Sequence, residues 1–360
     1  MKNKSAKILI WAVSVLCGGL AIITVALGQD APSGTGVSRG PYPKGTKNLV
    51  KHMAYEMDEA DCSSCHKNAD PANPGGLLLP VNEGCFECHD NFPKKLAQPF
   101  AHAPALDRCT ACHNPHESLE PALLVEEVEQ LCLGCHDDVA TAMAKASVKH
   151  GAVETGKKCL NCHNPHSSTV EKLLLKPAMD ECLDCHNKDD LKDHAGRPLT
   201  NMKQLLADNP RQHSPVAGGE CTTCHNPHSS GNYRLLKQEY PASFYSPFEV
   251  KNYALCFECH EEGLITDAET TTQTKFRDGR RNLHYVHVNK AERGRTCRAC
   301  HEVHASKEKA LLRDGAPYGP KNWMLRTNFT KTDTGGTCTK TCHTTKSYDN
   351  SAAASGVKRK

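Results

Sequence analysis

The fold of this 360-residue chain is decided by eight residues, Cys159-Leu160-Asn161-Cys162-His163-Asn164-Pro165-His166. Two thiols separated by two residues, with an imidazole directly after the second, form the attachment sequence of c-type haem. The two sulfurs reach adjacent edges of one porphyrin, and the side chain of His163 then falls beneath the iron. His166 cannot reach that iron from the same side, but it can ligate a neighbouring one. The stretch therefore attaches one haem and can help to build a second.

The CxxCH pattern occurs nine times, and a tenth copy has three residues between its thiols. The cysteines expected to attach haem are Cys62, Cys65, Cys85, Cys88, Cys109, Cys112, Cys132, Cys135, Cys159, Cys162, Cys182, Cys185, Cys221, Cys224, Cys256, Cys259, Cys297, Cys300, Cys338 and Cys342. They are 20 of the 21 cysteines and leave only Cys17. Structural zinc is the alternative for an isolated CxxC, but zinc sites require no histidine at this fixed position. The repeated pattern therefore predicts about ten covalent haem c groups.

The histidines predict how the irons are held. The expected proximal ligands, directly after the second cysteine of each motif, are His66, His89, His113, His136, His163, His186, His225, His260, His301 and His343. The expected distal ligands lie three residues after a proximal histidine or seven to ten residues before a motif, and they are His52, His102, His116, His150, His166, His213, His228, His287 and His304. Nine distal histidines for ten irons leave one vacancy. We expect His194, rather than His284, to fill it.

Two imidazoles on each iron predict low-spin, six-coordinate centres with little change of geometry on reduction. Such centres carry electrons and leave no open position for nitrite, hydroxylamine or peroxide. Imidazole also stabilises ferric iron better than a thioether does, so the potentials should lie mostly below those of His/Met cytochromes. We therefore expect an electron carrier without catalytic residues, not an enzyme.

The motif spacing divides the chain into repeats. The expected segments are a signal peptide or N-terminal membrane anchor over 1–28, a flexible lead over 29–51, doubled-CxxCH units over 52–101, 102–149, 150–212, 213–283 and 284–346, the last with the CxxxCH variant, and a disordered basic tail over 347–360. The first segment has a basic start, an apolar run over 8–27 and a small-residue ending at Gly28, which fits cleavage before Gln29 and export. The apolar run is also long enough to stay uncleaved in a bilayer.

Composition argues against a conventional core, because only 38% of the residues are hydrophobic and the mean hydropathy is −0.57. We expect a multihaem cytochrome c: a mostly irregular chain with short α-helices wrapped around covalent haems, with little or no β structure. Patches such as Leu173-Leu174-Leu175 should cover porphyrin faces, and the aromatic insert 240–252 should shield haem or dock a partner. Without its three N-terminal lysines the chain has equal numbers of acidic and basic residues. Ten haems would bring the charge to about −10 oxidised and about −20 reduced, which excludes nucleic acid as a partner.

The stretch Cys221-Thr222-Thr223-Cys224-His225-Asn226-Pro227-His228-Ser229-Ser230, with Leu235-Leu236 and the motif at 256–260, resembles the doubled-CxxCH family of multihaem (decahaem) c-type cytochromes. The resemblance covers roughly 52–343. It implies a periplasmic or outer-surface electron carrier of the kind common in bacteria that respire metals or other insoluble acceptors. Two places depart from the family pattern: the first unit reads Cys65-His66-Lys67-Asn68-Ala69, without a second histidine, and the last motif has the extra residue.

Three functions remain open from the sequence. The first is an electron conduit between redox proteins, such as other cytochromes or a quinol-oxidising complex, and a terminal or extracellular acceptor. The second is a multihaem reductase with one open haem site, although a CxxCK motif is absent from the sequence. The third is a membrane-anchored subunit of a quinol dehydrogenase. The expected location is the periplasm or the outer membrane and cell surface, or, if the N-terminus is retained, the inner membrane.

Overall fold

The computed structural model describes Tyr42 and residues 46–53, 62–319, 321 and 323–351. The expected signal or anchor over 1–28 and most of the lead lie outside these residues. In the part of the chain that the structure describes, no helix is long and apolar enough to cross a bilayer.

The α-helices are short, because prolines and glycines interrupt the chain repeatedly. They span Val81–Phe86, Phe92–Leu96, Ala103–Asp107, Val128–Leu133, Asp137–Lys145, Gly151–Glu154, Ala178–Leu183, Met202–Asp208, Ser214–Ala217, Ala254–Phe257, Gly263–Thr266 and Leu283–Val288. Asp137–Lys145 is the longest of these, with acidic side chains in its first turn and a lysine in its last, as the helix dipole favours.

The ten cysteine motifs lie on three kinds of backbone. The first motif of each unit begins on a 3-10 turn, and these turns are Cys62–Ser64, Cys109–Ala111, Lys158–Asn161, Cys221–Thr223 and Cys297–Ala299. The second motif of units one to four begins near the end of an α-helix, whereas the tenth begins in the strand Gly335–Cys338. In all nine CxxCH motifs the N–H of the proximal histidine donates to the carbonyl of the first cysteine, over 2.8–3.1 Å. This turn sets each histidine directly after its two thiols.

Two-residue antiparallel strands pair the segment that directly precedes each of units one to four with the unit that follows that unit in the chain. Their pairs are Val50–Lys51 with Glu117–Ser118, Phe100–Ala101 with Ser167–Ser168, Val148–Lys149 with Ser229–Ser230, and Arg211–Gln212 with Ala305–Ser306. Each pair sets the residues before one unit's opening histidine beside those after the next unit's second histidine. The N–H of His102, for example, donates to the carbonyl of His166 over 2.9 Å. Successive units are therefore interlocked and not merely linked in sequence.

A buried serine secures each of these strand pairs. The hydroxyl donates to a leucine carbonyl six residues later in Ser118–Leu124, Ser168–Leu174, Ser230–Leu236 and Ser306–Leu312. The same oxygen accepts the N–H two residues later in the chain. Since the hydroxyl is fully satisfied, these segments can be buried without leaving a polar group unpaired.

The expectation of little or no β structure is not confirmed. Longer strands lie near the C-terminus: Gly315–Tyr318 pairs with Trp323–Arg326, and Gly335–Cys338 is central between Phe329–Lys331 and Lys346–Asp349. Further two-residue pairs are Tyr245–Ser246 with Gly294–Arg295 and Arg277–Asp278 with Arg281–Asn282. Residues 347–349, which composition assigns to the tail, belong to the C-terminal sheet because their backbone bonds to Gly335–Cys338. Residues 50–51, which the sequence assigns to the flexible lead, form the strand that pairs with Glu117–Ser118. Residues 352–360 of the expected tail lie outside the described residues.

The apolar core is small for a chain of this length. Among the described residues, nine hydrophobic side chains are buried. Four of them, Tyr240, Tyr253, Ile265 and Val288, form one cluster, against which Phe248 packs. Tyr240 is 6% exposed and Tyr253 is fully buried. Tyr240 of the aromatic insert and the adjacent Tyr253 therefore turn inward, which favours shielding over docking for these two side chains.

Candidate metal centres

Nine pairs of histidine rings face each other at nearly the same distance, with their ring centroids 6.0–6.3 Å apart. They are His52–His89, His66–His116, His102–His136, His113–His166, His150–His186, His163–His228, His213–His260, His225–His304 and His284–His301. In eight pairs the two ring planes are inclined to each other by 10–30°, and in His52–His89 by 49°. Every pair joins one proximal histidine to one other histidine.

This separation fits a metal ion between the rings. Metal–imidazole bonds are about 2 Å long, so two rings on opposite sides of one ion have centroids about 6 Å apart. Two imidazoles in van der Waals contact face to face would be much closer. The residues present therefore fit an iron with two axial imidazoles at nine of the ten motifs.

One rule describes eight of the nine pairs. The proximal histidine of a unit's first motif faces the second histidine of the following unit, as His113 of unit two faces His166 of unit three. The proximal histidine of a unit's second motif faces the opening histidine of its own unit, as His136 faces His102. This rule accounts for the departure in unit one. Residues 1–51 contain no CxxCH motif, so this sequence has no earlier motif that a second histidine after His66 could face.

The vacancy falls in the fifth unit, where the rule assigns His301 no partner among the five units of this sequence. His284 lies there opposite His301, with centroids 6.3 Å apart and planes inclined by 22°. The helix Leu283–Val288 fixes it, because the side chain of Asn282 accepts the N–H of His284 over 3.0 Å. This differs from our expectation of His194. His194 is exposed in a turn next to the Asp193–Arg197 ion pair, and among the described rings none lies opposite it.

The tenth site is assembled differently. His287 is one helical turn from His284, and its Nδ1 donates to the carbonyl of Leu283 over 2.6 Å. It lies close enough to His343 for their charges to interact, which contributes to the lowered pKa of His287 after burial. Cys300 of the ninth motif is similarly close to Cys338 and Cys342. The described rings of His287 and His343 do not form a facing pair.

Hydrogen bonds fix the tautomer of the proximal histidines in the first motifs. Nδ1 donates to the carbonyl nine residues later in His66–Gly75, His113–Ala122, His163–Lys172, His225–Arg234 and His301–Ala310, over 2.8–3.2 Å. A carbonyl can only accept, so Nδ1 carries the proton and Nε2 keeps its lone pair for a metal.

Each accepting carbonyl belongs to a residue in the left-handed backbone conformation, at the start of a leucine patch or, in unit one, just before it. The accepting residue has φ of +54° to +59° at Ala122, Lys172, Arg234 and Ala310, and +73° at Gly75. In the four non-glycine cases the following leucine also has positive φ. Such a backbone is costly for residues with a Cβ and persists only where its surroundings enforce it. These turns therefore aim a carbonyl at the imidazole of the proximal histidine, a role that the sequence analysis, which expected the patches to cover porphyrin, did not predict.

Burial disfavours the charged form of several of these imidazoles. Burial lowers the pKa of His284 to about 4, with further lowering from the neighbouring His301 and His287. Burial likewise lowers the pKa of His150 and of His225, although in both a backbone hydrogen bond opposes it. Metal binding requires neutral imidazole, so burial favours the ligating form.

The motifs neighbour one another in chain order. The thiols of the second motif of one unit and the first motif of the next lie close enough to interact electrostatically in Cys85–Cys109, Cys132–Cys159, Cys182–Cys221 and Cys256–Cys297. Within units, the thiols of the two motifs are close enough for their charges to interact in Cys112–Cys132, Cys162–Cys182, Cys224–Cys256 and Cys300–Cys338. From the second motif to the tenth, each motif therefore adjoins its successor.

Buried cations near the last motifs also fit the cofactor. The Nε atoms of Arg277, Arg295 and Arg298 are buried without a hydrogen-bond partner in the described part of the chain. Arg295 acts electrostatically on Cys300 and Cys338. A buried guanidinium nitrogen without a hydrogen-bond partner is costly, and the propionates of haem are anions of the kind that guanidinium groups bind.

A family model for the doubled CXXCH motif matches residues 52–94, 102–141, 150–191 and 213–264. The matches begin at the opening histidines of the first four units. CXXCH motifs bind haem c covalently. No curated protein sequence matches the chain significantly.

Proposed function

We propose that this chain, which belongs to the doubled-CXXCH family of multihaem c-type cytochromes, carries electrons along about ten bis-histidine haems and is not itself an enzyme. The nine facing histidine pairs are the observation on which the proposal rests. A haem bound at each site would supply one-electron chemistry. At the nine paired sites the two histidines would hold the iron between them, so the chain's own residues would keep substrates away from the metal.

The order of the motifs supports conduction along the chain. Neighbouring motifs share contacts between their cysteines, as in Cys132–Cys159 and Cys256–Cys297. Since each cysteine is an attachment point, the cofactors that they hold would be neighbours too. Electrons could then enter near one end of the series and leave near the other without a diffusing carrier.

Export to the periplasm or cell surface is part of this proposal. The basic start and apolar run of residues 1–28, cleaved or retained as an inner-membrane anchor, support it. The proposed partners are redox proteins, such as other cytochromes or a quinol-oxidising complex, or an extracellular acceptor, in anaerobic or extracellular respiration. Retention of the anchor would favour a quinol dehydrogenase subunit.

A reductase is the second candidate, favoured by one observation. The rings of His287 and His343 do not face each other as the other nine pairs do, so the tenth site is the place where an axial position could be open. We favour the carrier because His287 is partly buried close to His343, with its Nδ1 already bonded to a carbonyl.

A redox titration of purified holoprotein, followed by optical and EPR spectroscopy, tests the proposal. We expect about ten one-electron equivalents and only low-spin ferric signals. Nitrite or hydroxylamine should neither alter the spectra nor be consumed by the reduced protein. A high-spin ferric signal from one haem, together with steady consumption of either compound, would instead establish the reductase.

A further inference from the structure

The second histidine of the last unit has an unusual neighbour. In units two to four an asparagine, Asn114, Asn164 or Asn226, follows the proximal histidine, and its side chain accepts the backbone N–H two residues later over 3.0–3.1 Å. In unit five this position is Glu302, and Val303 replaces the proline. The change places a carboxylate where the other units have a neutral amide.

This carboxylate contacts an axial ligand. Oε1 of Glu302 accepts a hydrogen bond from Nδ1 of His304 over 3.3 Å. His304 faces His225, with ring centroids 6.3 Å apart and planes inclined by 11°. By comparison, the distal histidines His102 and His150 donate Nδ1 to the backbone carbonyls of Pro165 and Pro227.

Glu302 is held in this position from two other directions. Its Oε2 forms an ion pair with Nη2 of Arg313, and its backbone N–H donates to the carbonyl of Leu311 over 2.8 Å. The side chain of Glu302 is 15% exposed and that of Arg313 is 16% exposed. The ion pair keeps the carboxylate anionic and leaves Oε1 free to accept from His304.

We propose that Glu302 is a positioning residue that lowers the reduction potential of the haem attached at Cys221 and Cys224, through the imidazole of His304. An anionic acceptor draws the Nδ1 proton and makes the ring a stronger donor at Nε2. A stronger donor stabilises ferric iron and so disfavours reduction. The inference rests on the proposed haem ligation. Arg313 and Arg298 lie near Glu302 and oppose part of its charge, so the test must keep both arginines.

The substitution Glu302→Gln tests the proposal in the holoprotein, because glutamine retains an oxygen that can accept from Nδ1 but removes the charge. We expect one haem of the total to shift to higher potential in a redox titration, and one low-spin EPR signal to change its g values. Glu302→Asn, which installs the residue of the other units, should shift the potential in the same direction. Intact mass and the low-spin spectrum would show that both variants retain their haems and axial ligands.

Glu308→Gln is the matched control, because Glu308 is an exposed carboxylate in the same segment. It should leave every potential unchanged. The effect of Glu302→Gln should also disappear in a His304→Ala background, where the imidazole that transmits it is missing. An equal shift in the control, a shift that persists without His304, or unchanged potentials in fully loaded low-spin Glu302→Gln would each overturn the inference. Missing haems or high-spin wild-type protein would count against the proposed function itself.

Discussion

His166 lies opposite His113, with ring centroids 6.0 Å apart and planes inclined by 16°, although the two residues belong to different units. His113 follows the cysteines of unit two, while His166 follows those of unit three. A haem in unit two would therefore be attached by one unit and ligated by the next. The strand pair Phe100–Ala101 with Ser167–Ser168 runs beside His166. Directly after it, the N–H of His102 donates to the carbonyl of His166 over 2.9 Å and ties unit two to the same segment. Ligation and backbone pairing thus interlock the units.

A double-mutant experiment tests this sharing. His166→Ala should expose one iron and produce a high-spin ferric EPR signal equivalent to one haem. His113→Ala should do the same. If both ligate one iron, the double variant should still show one altered haem.

Two altered haems in the double variant would contradict the pairing, because they would place the two histidines on different irons. His113→Ala with His228→Ala is the matched comparison. His228 faces His163, so this double variant should show two altered haems.

His284→Ala should also produce one high-spin haem, because it removes the ring that faces His301. His194→Ala should leave the spectrum unchanged, since His194 is exposed and no described ring faces it. EPR of the two variants, prepared side by side, decides between the geometry and our sequence-based preference. A high-spin signal in the His194 variant alone would restore that preference.

The left-handed turn at Lys172 should respond to backbone substitutions. With φ of +59°, Lys172→Gly should remove steric strain and be neutral or stabilising by up to about 1 kcal/mol. Lys172→Val should destabilise by about 1 kcal/mol or more, because a β-branched residue is strongly disfavoured there. The midpoint of guanidinium unfolding, followed by loss of the low-spin spectrum, measures both.

Lys188 provides the control for these substitutions, because it is exposed and its φ is not positive. Lys188→Val should change stability by no more than about 0.5 kcal/mol. Equal losses for valine at both positions would show that the turn at Lys172 is not under strain.

Production of the chain without covalent haem attachment should yield a largely unfolded polypeptide. Its described part buries only nine hydrophobic side chains, too few to offset the conformational entropy of a chain of this length. Far-UV circular dichroism and amide hydrogen exchange should therefore show little structure and little protection. A protected, cooperatively unfolding apo chain would mean that the short strands and helices suffice.

The sequence was informative wherever cofactor chemistry fixes residue spacing. Nine of the ten proximal histidines face another histidine as the motif predicts, and eight of the nine partners lie at positions that the repeat assigns. The exception, His284, could have been found by applying the pairing rule to the five units, because the rule assigns no partner to His301 and His284 is a histidine of the same unit. Without that rule, a count of distal histidines against irons shows only that one ligand is missing, and the position of His194 in a polar insert then favours it over His284.

Other features depend on backbone geometry that residue patterns do not encode. The positive φ at Lys172 and Arg234 was not expected, because long side chains are rare in that conformation; the Gly75-Gly76 pair in unit one was the available signal. The two-residue strands contain too few residues for a detectable alternation. Their pairing partners are up to about a hundred residues apart and depend on how the units interlock.

The tenth motif gives the last prediction. Its extra residue lies between Cys338, at the end of the central strand of the C-terminal sheet, and Cys342. Both thiols lie near Cys300 of the ninth motif, and His287 lies near His343, so we expect a haem to be attached here as well. Intact mass of the holoprotein should correspond to ten haems, and the double substitution Cys338→Ser with Cys342→Ser should remove one haem.

Deletion of Lys340, which lies between the two cysteines and has a φ of +20°, should leave ten haems if this positive-φ residue merely accommodates the longer loop. A wild-type mass of nine haems, with Cys338 free to alkylate, would show that this motif no longer attaches haem.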